Sequence, residues 1–136
     1  MSYDDIRTAS IIIYPYLWEH QASKGETEGR KKRPAAVAMR LLQNDLLILW
    51  PITTKEPSQD RFAVEIPDIE KRRAGLEQDL RLWIILDEFN IDKIGSSFYL
   101  EPDPPIGAFS KAFFLPLVRE FIERRQQLKG IERYKG

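Results

Sequence analysis

The sequence predicts a mainly β protein (β with α), a compact and mostly antiparallel barrel with one C-terminal helix. Three observations carry that expectation. Short apolar runs separated by turn residues fill most of the chain. Helical periodicity appears only late, at Phe113, Phe114, Leu117, Val118, Phe121 and Ile122. A length of 136 residues suffices for one core and is short for two. The chain, 1–136, is therefore read as a single domain with its core in 9–125 and polar tails at both ends.

Taken in order, residues 1–8 are polar and read as a loose lead-in. From Ala9 the chain is continuously apolar and rich in Ile and Tyr, as a strand covered on both faces would be. Pro15, which has no amide hydrogen, marks a bulge or an edge there, and Trp18 ends the run. Residues 19–32 form a long polar loop hinged at Gly25 and Gly29. Its most reactive member is His20, because imidazole exchanges protons near neutral pH.

The stretch 29–54 organises the rest. It opens with Arg30, Lys31, Lys32 and Arg33, and turns at Pro34 into an apolar run ending at Met39. After Gln43, Asn44 and Asp45 it returns through 46–50 to Pro51, Ile52, Thr53 and Thr54. This pattern is a hairpin, which puts Arg33 and both threonines at the same end. A planar guanidinium and neutral hydroxyls converging on one ligand suit an oxyanion. The plainer reading is a solvated arginine and ordinary turn threonines.

Residues 61–66 alternate as a half-exposed strand that Pro67 stops. Asp68 is expected to cap a short helical turn through Arg73, with Gly75 as its terminator. Residues 80–86 read as a strongly apolar central strand holding Trp83, whose continuation, Asp87, Glu88, Phe89 and Asn90, is polar enough to reach a surface. Residues 94–100 read as another short strand, and the proline-rich 101–105 as a linker that cannot be helical. From Ser110 the apolar stripe is backed by Arg119, Glu120, Glu123 and Arg124, and Pro116 either kinks this helix or marks its first turn. The stripe suits core or dimer packing, and 130–136 read as a frayed tail.

Acidic and basic residues balance at 21 each, so no global basic field draws in nucleic acid, and any RNA must be held locally. The local candidates are the Arg30 to Arg33 cluster and Lys71, Arg72 and Arg73. There is no cysteine and one histidine, which removes disulfides, thiolate catalysis and zinc–thiolate sites. With neither a leader pattern nor a long apolar stretch, the expectation is a soluble cytoplasmic protein without membrane contact.

The succession Arg33-Pro34-Ala35-Ala36-Val37, a hairpin, Pro51-Ile52-Thr53-Thr54 and the strand at 62–66 resembles the MazF/PemK (Kid) toxins of bacterial type II toxin–antitoxin systems. Gly75-Leu76 and Leu86-Asp87-Glu88-Phe89-Asn90-Ile91-Asp92 resemble later pieces of that family, and the likeness spans roughly 9–125. The resemblance implies an SH3-like barrel of the MazF/PemK/CcdB type with a C-terminal helix, and a homodimer. It further implies a growth inhibitor that cuts single-stranded RNA at specific sequences without a metal or cofactor, and an antitoxin that neutralises it. Arg33 and Thr53 would be catalytic, with Thr54, His20 and Asp87 as further candidates, and Arg30, Lys31 and Lys32 would bind RNA. Ile85 and Asn90 stand where many members carry arginine. Those departures favour the alternative, a non-catalytic binding module of the same fold for RNA or protein.

Overall fold

The computed structural model describes residues 3–29 and 31–134. Its strands are β1 (Ser10–Tyr14), β2 (Arg33–Leu41), β3 (Leu46–Thr53), β4 (Ala63–Glu65), β5 (Trp83–Ile85), β6 (Glu88–Lys93), β7 (Gly107–Ala108) and β8 (Lys129–Glu132). Three α-helices accompany them among the described residues: α1 (Glu19–Ala22), α2 (Asp68–Arg73) and the long C-terminal α3 (Lys111–Arg124). The protein is mainly β, with a curled sheet ordered β4-β5-β3-β2-β1-β7; β6 branches from β3 and carries β8 on its other edge. Every pairing is antiparallel except that of β6 with β8. No helix among the described residues is long and apolar enough to cross a membrane.

The curl originates in β3. One edge of it is bonded to β2, while the other is shared: Leu46 to Leu49 pair with β6, and Ile52 and Thr53 pair with β5. The exchange falls at Trp50 and Pro51. Proline has no N–H to give a ladder, so it is tolerated where the partner strand changes. The hairpin turn at Gln43–Asp45 forms as expected, with Asn44 and Asp45 at φ 71° and 53°.

Both faces of the central strands are buried, which is why they read as continuous apolar runs. Ile11, Ala36, Ala38, Ile48, Trp50 and Ile52 point into one core, and Ile12, Ala35, Val37, Leu47 and Leu49 into the other. Helix α3 closes the first. Phe114 and Phe121 each lie 5.3 Å from Trp50, and Phe121 meets Phe89 edge-on at 5.1 Å. Of the two uses expected for it, core or dimer packing, the aromatic stripe thus serves the core of its own chain. Ser110 starts α3 by accepting from the Phe113 amide at 3.2 Å, and Pro116 sits inside the helix rather than in its first turn.

Several expectations change. The segment 80–86 narrows to β5, and 94–100 is no strand: Ser97 Oγ accepts from the Tyr99 and Leu100 amides, which takes those donors out of any ladder. Pro67, not Asp68, occupies the cap position of α2. Lys71 is no RNA ligand, because its ammonium is buried and donates to the carbonyls of Gln78 and Leu80 at 3.2 and 2.7 Å. The loop 19–32 contains α1. Within its described residues neither tail is loose: Ile6 is buried, Arg40 donates to the Tyr3 and Ile6 carbonyls, and the C-terminal segment forms β8 and buries Arg133.

Candidate functional site

Register brings the expected residues together. Ala35 pairs with Pro51, so two residues further along each strand Arg33 and Thr53 reach the same end of the hairpin, as read from the sequence. There they line a cleft of about 790 Å³ with Trp18, His20, Lys31, Thr54, Lys55, Glu56, Arg61 and Ile85 among its walls. Four cations face one carboxylate in that lining, and Glu56 is itself 3.3 Å from Arg81. A chain with no net charge thus concentrates positive charge in one place.

Arg33 is half-buried, and its guanidinium carbon lies 5.1 Å from the centre of the Trp18 ring, a cation–π contact. Its Nε is buried without a hydrogen-bond partner. No described carboxylate pairs with it. Burial lowers its pKa, as it does for any cation drawn from water, but a guanidinium remains charged at any ordinary pH. Thr53 Oγ1 accepts from the Lys55 amide at 3.1 Å, a turn bond that leaves the hydroxyl hydrogen uncommitted.

Trp18 is positioned from beneath. Asn90, fully buried, accepts from the Leu17 amide at 2.9 Å and donates to the Leu17 carbonyl at 2.8 Å, copying a backbone pairing with a side chain. Arg133 donates to the same Asn90 oxygen and to the Pro15 carbonyl, both at 2.9 Å, between the rings of Tyr14 and Tyr99. Asn90 therefore does not reach the surface, as its polar neighbours had suggested. An arginine in its place would enter the interior rather than the cleft. Ile85, by contrast, does line the cleft and gives it an apolar wall.

Asp87 has a different place from the one expected. It lines an adjoining cavity of about 330 Å³ with Glu19, His20, Arg61, Glu88 and residues 127–129. Both its oxygens hold Arg61, accepting from Nε at 2.7 Å and Nη2 at 2.6 Å, and one also accepts from the Phe62 amide. Glu88, almost fully buried, accepts from Arg61 Nη2 at 3.1 Å, from the Tyr16 hydroxyl at 3.2 Å and from the Glu19 amide at 2.9 Å. The hydrogen bonds that Arg61 donates to Asp87 raise the Arg61 pKa further, and burial followed by Glu88 drives the Tyr16 phenol well above its ordinary value. Asp87 is thus committed to orienting an arginine.

His20 lines both cavities and stacks near Trp18, with ring centres 6.3 Å apart. Lys31 reaches the cleft, but Lys32 is paired with Glu101 of the proline-rich linker and does not line it. Arg30 lies outside the described residues. Sequence reasoning missed Arg61, Lys55 and Trp18 as cleft residues; only Trp18 left a trace, as one of the alternating rings Tyr14, Tyr16, Trp18 and His20. Among the described residues no three His, Asp or Glu side chains are grouped to hold a metal ion.

Fold and site together define a mainly β protein with a curled antiparallel sheet, one long C-terminal helix and a cationic cleft at one hairpin end. No protein-family model, curated protein or solved structure matches the chain.

Proposed function

We propose that this chain is an SH3-like barrel of the MazF/PemK type that cleaves single-stranded RNA at specific sequences without a metal, and that an antitoxin restrains it. The observation that carries the reading is Arg33: a guanidinium stacked on Trp18, with an unpartnered Nε and no described carboxylate partner, opening into the same cationic cleft as Thr53 and His20. Such a cation suits a phosphodiester, whose charge grows as the reaction proceeds.

In the proposed reaction the substrate's 2′-oxygen bonds to the adjacent phosphorus and the bond from phosphorus to the 5′-oxygen breaks. The products are a 2′,3′-cyclic phosphate and a free 5′-hydroxyl. His20 is the candidate to take the 2′-hydroxyl proton, and the leaving oxygen gains one from the imidazolium so formed or from water. Arg33 stabilises the negative charge on the phosphoryl oxygens, and Thr53 donates a hydrogen bond to one of them. An antitoxin with a flexible acidic segment would occupy the same cleft, against Lys31, Arg33 and Lys55.

Incubation with a diverse single-stranded RNA pool in the presence of a chelator tests the reading. Cleavage is expected to persist with the chelator, to stop when the cut nucleotide is 2′-deoxy, and to fall at least about a hundredfold in Arg33→Ala, the scale of one oriented charge-stabilising donor. Cleavage of the deoxy substrate refutes the mechanism. A non-catalytic RNA- or protein-binding module is the second reading, favoured by the apolar wall at Ile85 and the commitment of Asp87 to Arg61. It predicts RNA or antitoxin binding with no cleavage of any pool.

A further inference from the structure

We infer that the two arginines of the cleft have different ligands: Arg33 takes the phosphate, and Arg61 determines specificity by donating from Nη1 to a neutral acceptor on the neighbouring nucleobase. This rests on the reading that the cleft binds single-stranded RNA.

A guanidinium carries five N–H donors. In Arg61 the fork of Nε and Nη2 is closed by Asp87 at 2.7 and 2.6 Å, and Nη2 also donates to Glu88 at 3.1 Å. Among the described residues no acceptor takes either donor of Nη1. Charge distinguishes the two arginines more sharply than donor count does. Arg61 is met by two carboxylates, so a phosphate brought to it would face an excess of negative charge just behind the guanidinium. Arg33 is met by an aromatic face and by no described carboxylate, so its attraction for an anion is undiminished.

A compensated arginine remains a directed donor, because the clamp that cancels its charge also fixes its plane. The partner it favours is polar and uncharged, and next to a phosphodiester that is a base carbonyl oxygen or ring nitrogen. Position agrees with this. Arg61 and His20 line both the cationic cleft and the adjoining cavity of about 330 Å³, so a base leaving a phosphate held at Arg33 meets Arg61 at the border between them.

Fluorescence anisotropy with 2′-deoxyhexanucleotides, which the proposed reaction leaves intact, separates the two roles. The probes share one surrounding sequence and carry at one central position each of the four bases or an abasic sugar. Wild type is expected to bind its preferred base about tenfold or more above the abasic probe, the effect of one hydrogen bond from a charged donor. Arg61→Gln should reduce that ratio to within about threefold and lower the salt dependence of abasic binding clearly less than Arg33→Gln does. Arg33→Gln should weaken all probes alike and lower the slope of log affinity against log salt by about 0.7 for each phosphate that is no longer neutralised. Asp87→Asn, by removing one compensating charge, should steepen the slope. If Arg61→Gln does not fold, Arg61→Lys, which keeps the charge but not the fork, is expected to lose the discrimination too. A slope lowered by either Arg61 variant as much as by Arg33→Gln, or a wild type indifferent to the base, overturns the inference while leaving RNA binding intact. If no probe binds, or binding ignores Arg33→Gln, the RNA reading itself fails and the inference falls with it.

Discussion

Truncating Asn90 to alanine should loosen the site from underneath, at a cost that follows from its hydrogen bonds. The side chain joins the amide and carbonyl of Leu17 and the guanidinium of Arg133, at 2.8 to 2.9 Å, in a position closed to solvent. Alanine leaves both Leu17 groups without that partner, and Leu17 is itself buried. A buried polar group left unpaired costs about 1–3 kcal/mol, and two of them, partly relieved as 15–18 shifts toward water, give about 3 kcal/mol. For a domain of this size that corresponds to a melting temperature lower by roughly 10 °C.

Urea denaturation followed by circular dichroism measures the loss. A second readout distinguishes this role from general destabilisation. Leu17 precedes the Trp18 ring on which Arg33 stacks, so affinity for an uncleavable deoxy oligonucleotide should fall under conditions where the variant is fully folded. A stability loss under about 1 kcal/mol, below the cost of even one such orphaned group, would refute the reasoning. Unchanged oligonucleotide affinity would separate Asn90 from the site.

Burial, and after it Asp92 for Tyr14 and Glu88 for Tyr16, holds both phenols above their ordinary value, so the folded state binds these protons more tightly than the unfolded chain. Their contribution is complete below about pH 10 and is lost as pH rises beyond it; alkaline unfolding curves of Tyr14→Phe and Tyr16→Phe should be shallower than wild type, and equal slopes would exclude the coupling. Ser110→Ala removes the cap of α3 and a hydroxyl shared by the Phe113 amide and Glu70, and should cost about 1–2 kcal/mol by chemical denaturation. Thr53→Ala should slow RNA cleavage less than Arg33→Ala, since a neutral hydrogen bond is weaker than a charge-assisted one; the reverse order would move the phosphate away from Arg33. Sedimentation at micromolar concentration is expected to give twice the chain mass, as the resemblance to the toxin family implies, and a monomer would count against that resemblance.

What the sequence made legible was whatever depends on neighbours along the chain. The hairpin of β2 and β3, the late helix and the convergence of Arg33 with Thr53 follow from local periodicity and the turn at Gln43–Asp45. What it hid depends on partners far along the chain. Asn90 and Leu17 are 73 positions apart, and Arg133 reaches Pro15 across 118. No spacing rule links such residues. The polar run at 87–90 therefore looked like surface, whereas Glu88 and Asn90 are buried, held by Tyr16, Leu17 and Glu19 after β1, by Arg61, and by Arg133 after β8. The C-terminal segment was misread for the same reason: β8 alone is too short and too polar to announce a strand, and it exists because β6 offers it a parallel edge.

The stacking of Arg33 bears directly on how strongly it can bind a phosphate. A cation in open water must shed tightly held solvent before an anion can touch it, and that cost offsets most of the attraction in exposed ion pairs. Arg33 has shed part of its hydration already in folding, since it is half-buried with its Nε closed to solvent, and the Trp18 face replaces water on one side without supplying any negative charge that a ligand would have to displace. Lys32 shows the contrast, since its ammonium is solvated and paired with Glu101, so an anion arriving there would lose both advantages. Removing the stack should therefore weaken RNA more than the absence of the ring alone explains. In Trp18→Ala the guanidinium regains water, and the affinity deficit relative to wild type should grow as salt rises, because a rehydrated ion pair is screened more than a partly buried one. If the ratio of wild-type to Trp18→Ala affinity stays constant from low to high salt, the ring contributes only its own surface to the ligand, and desolvation of Arg33 plays no part in binding.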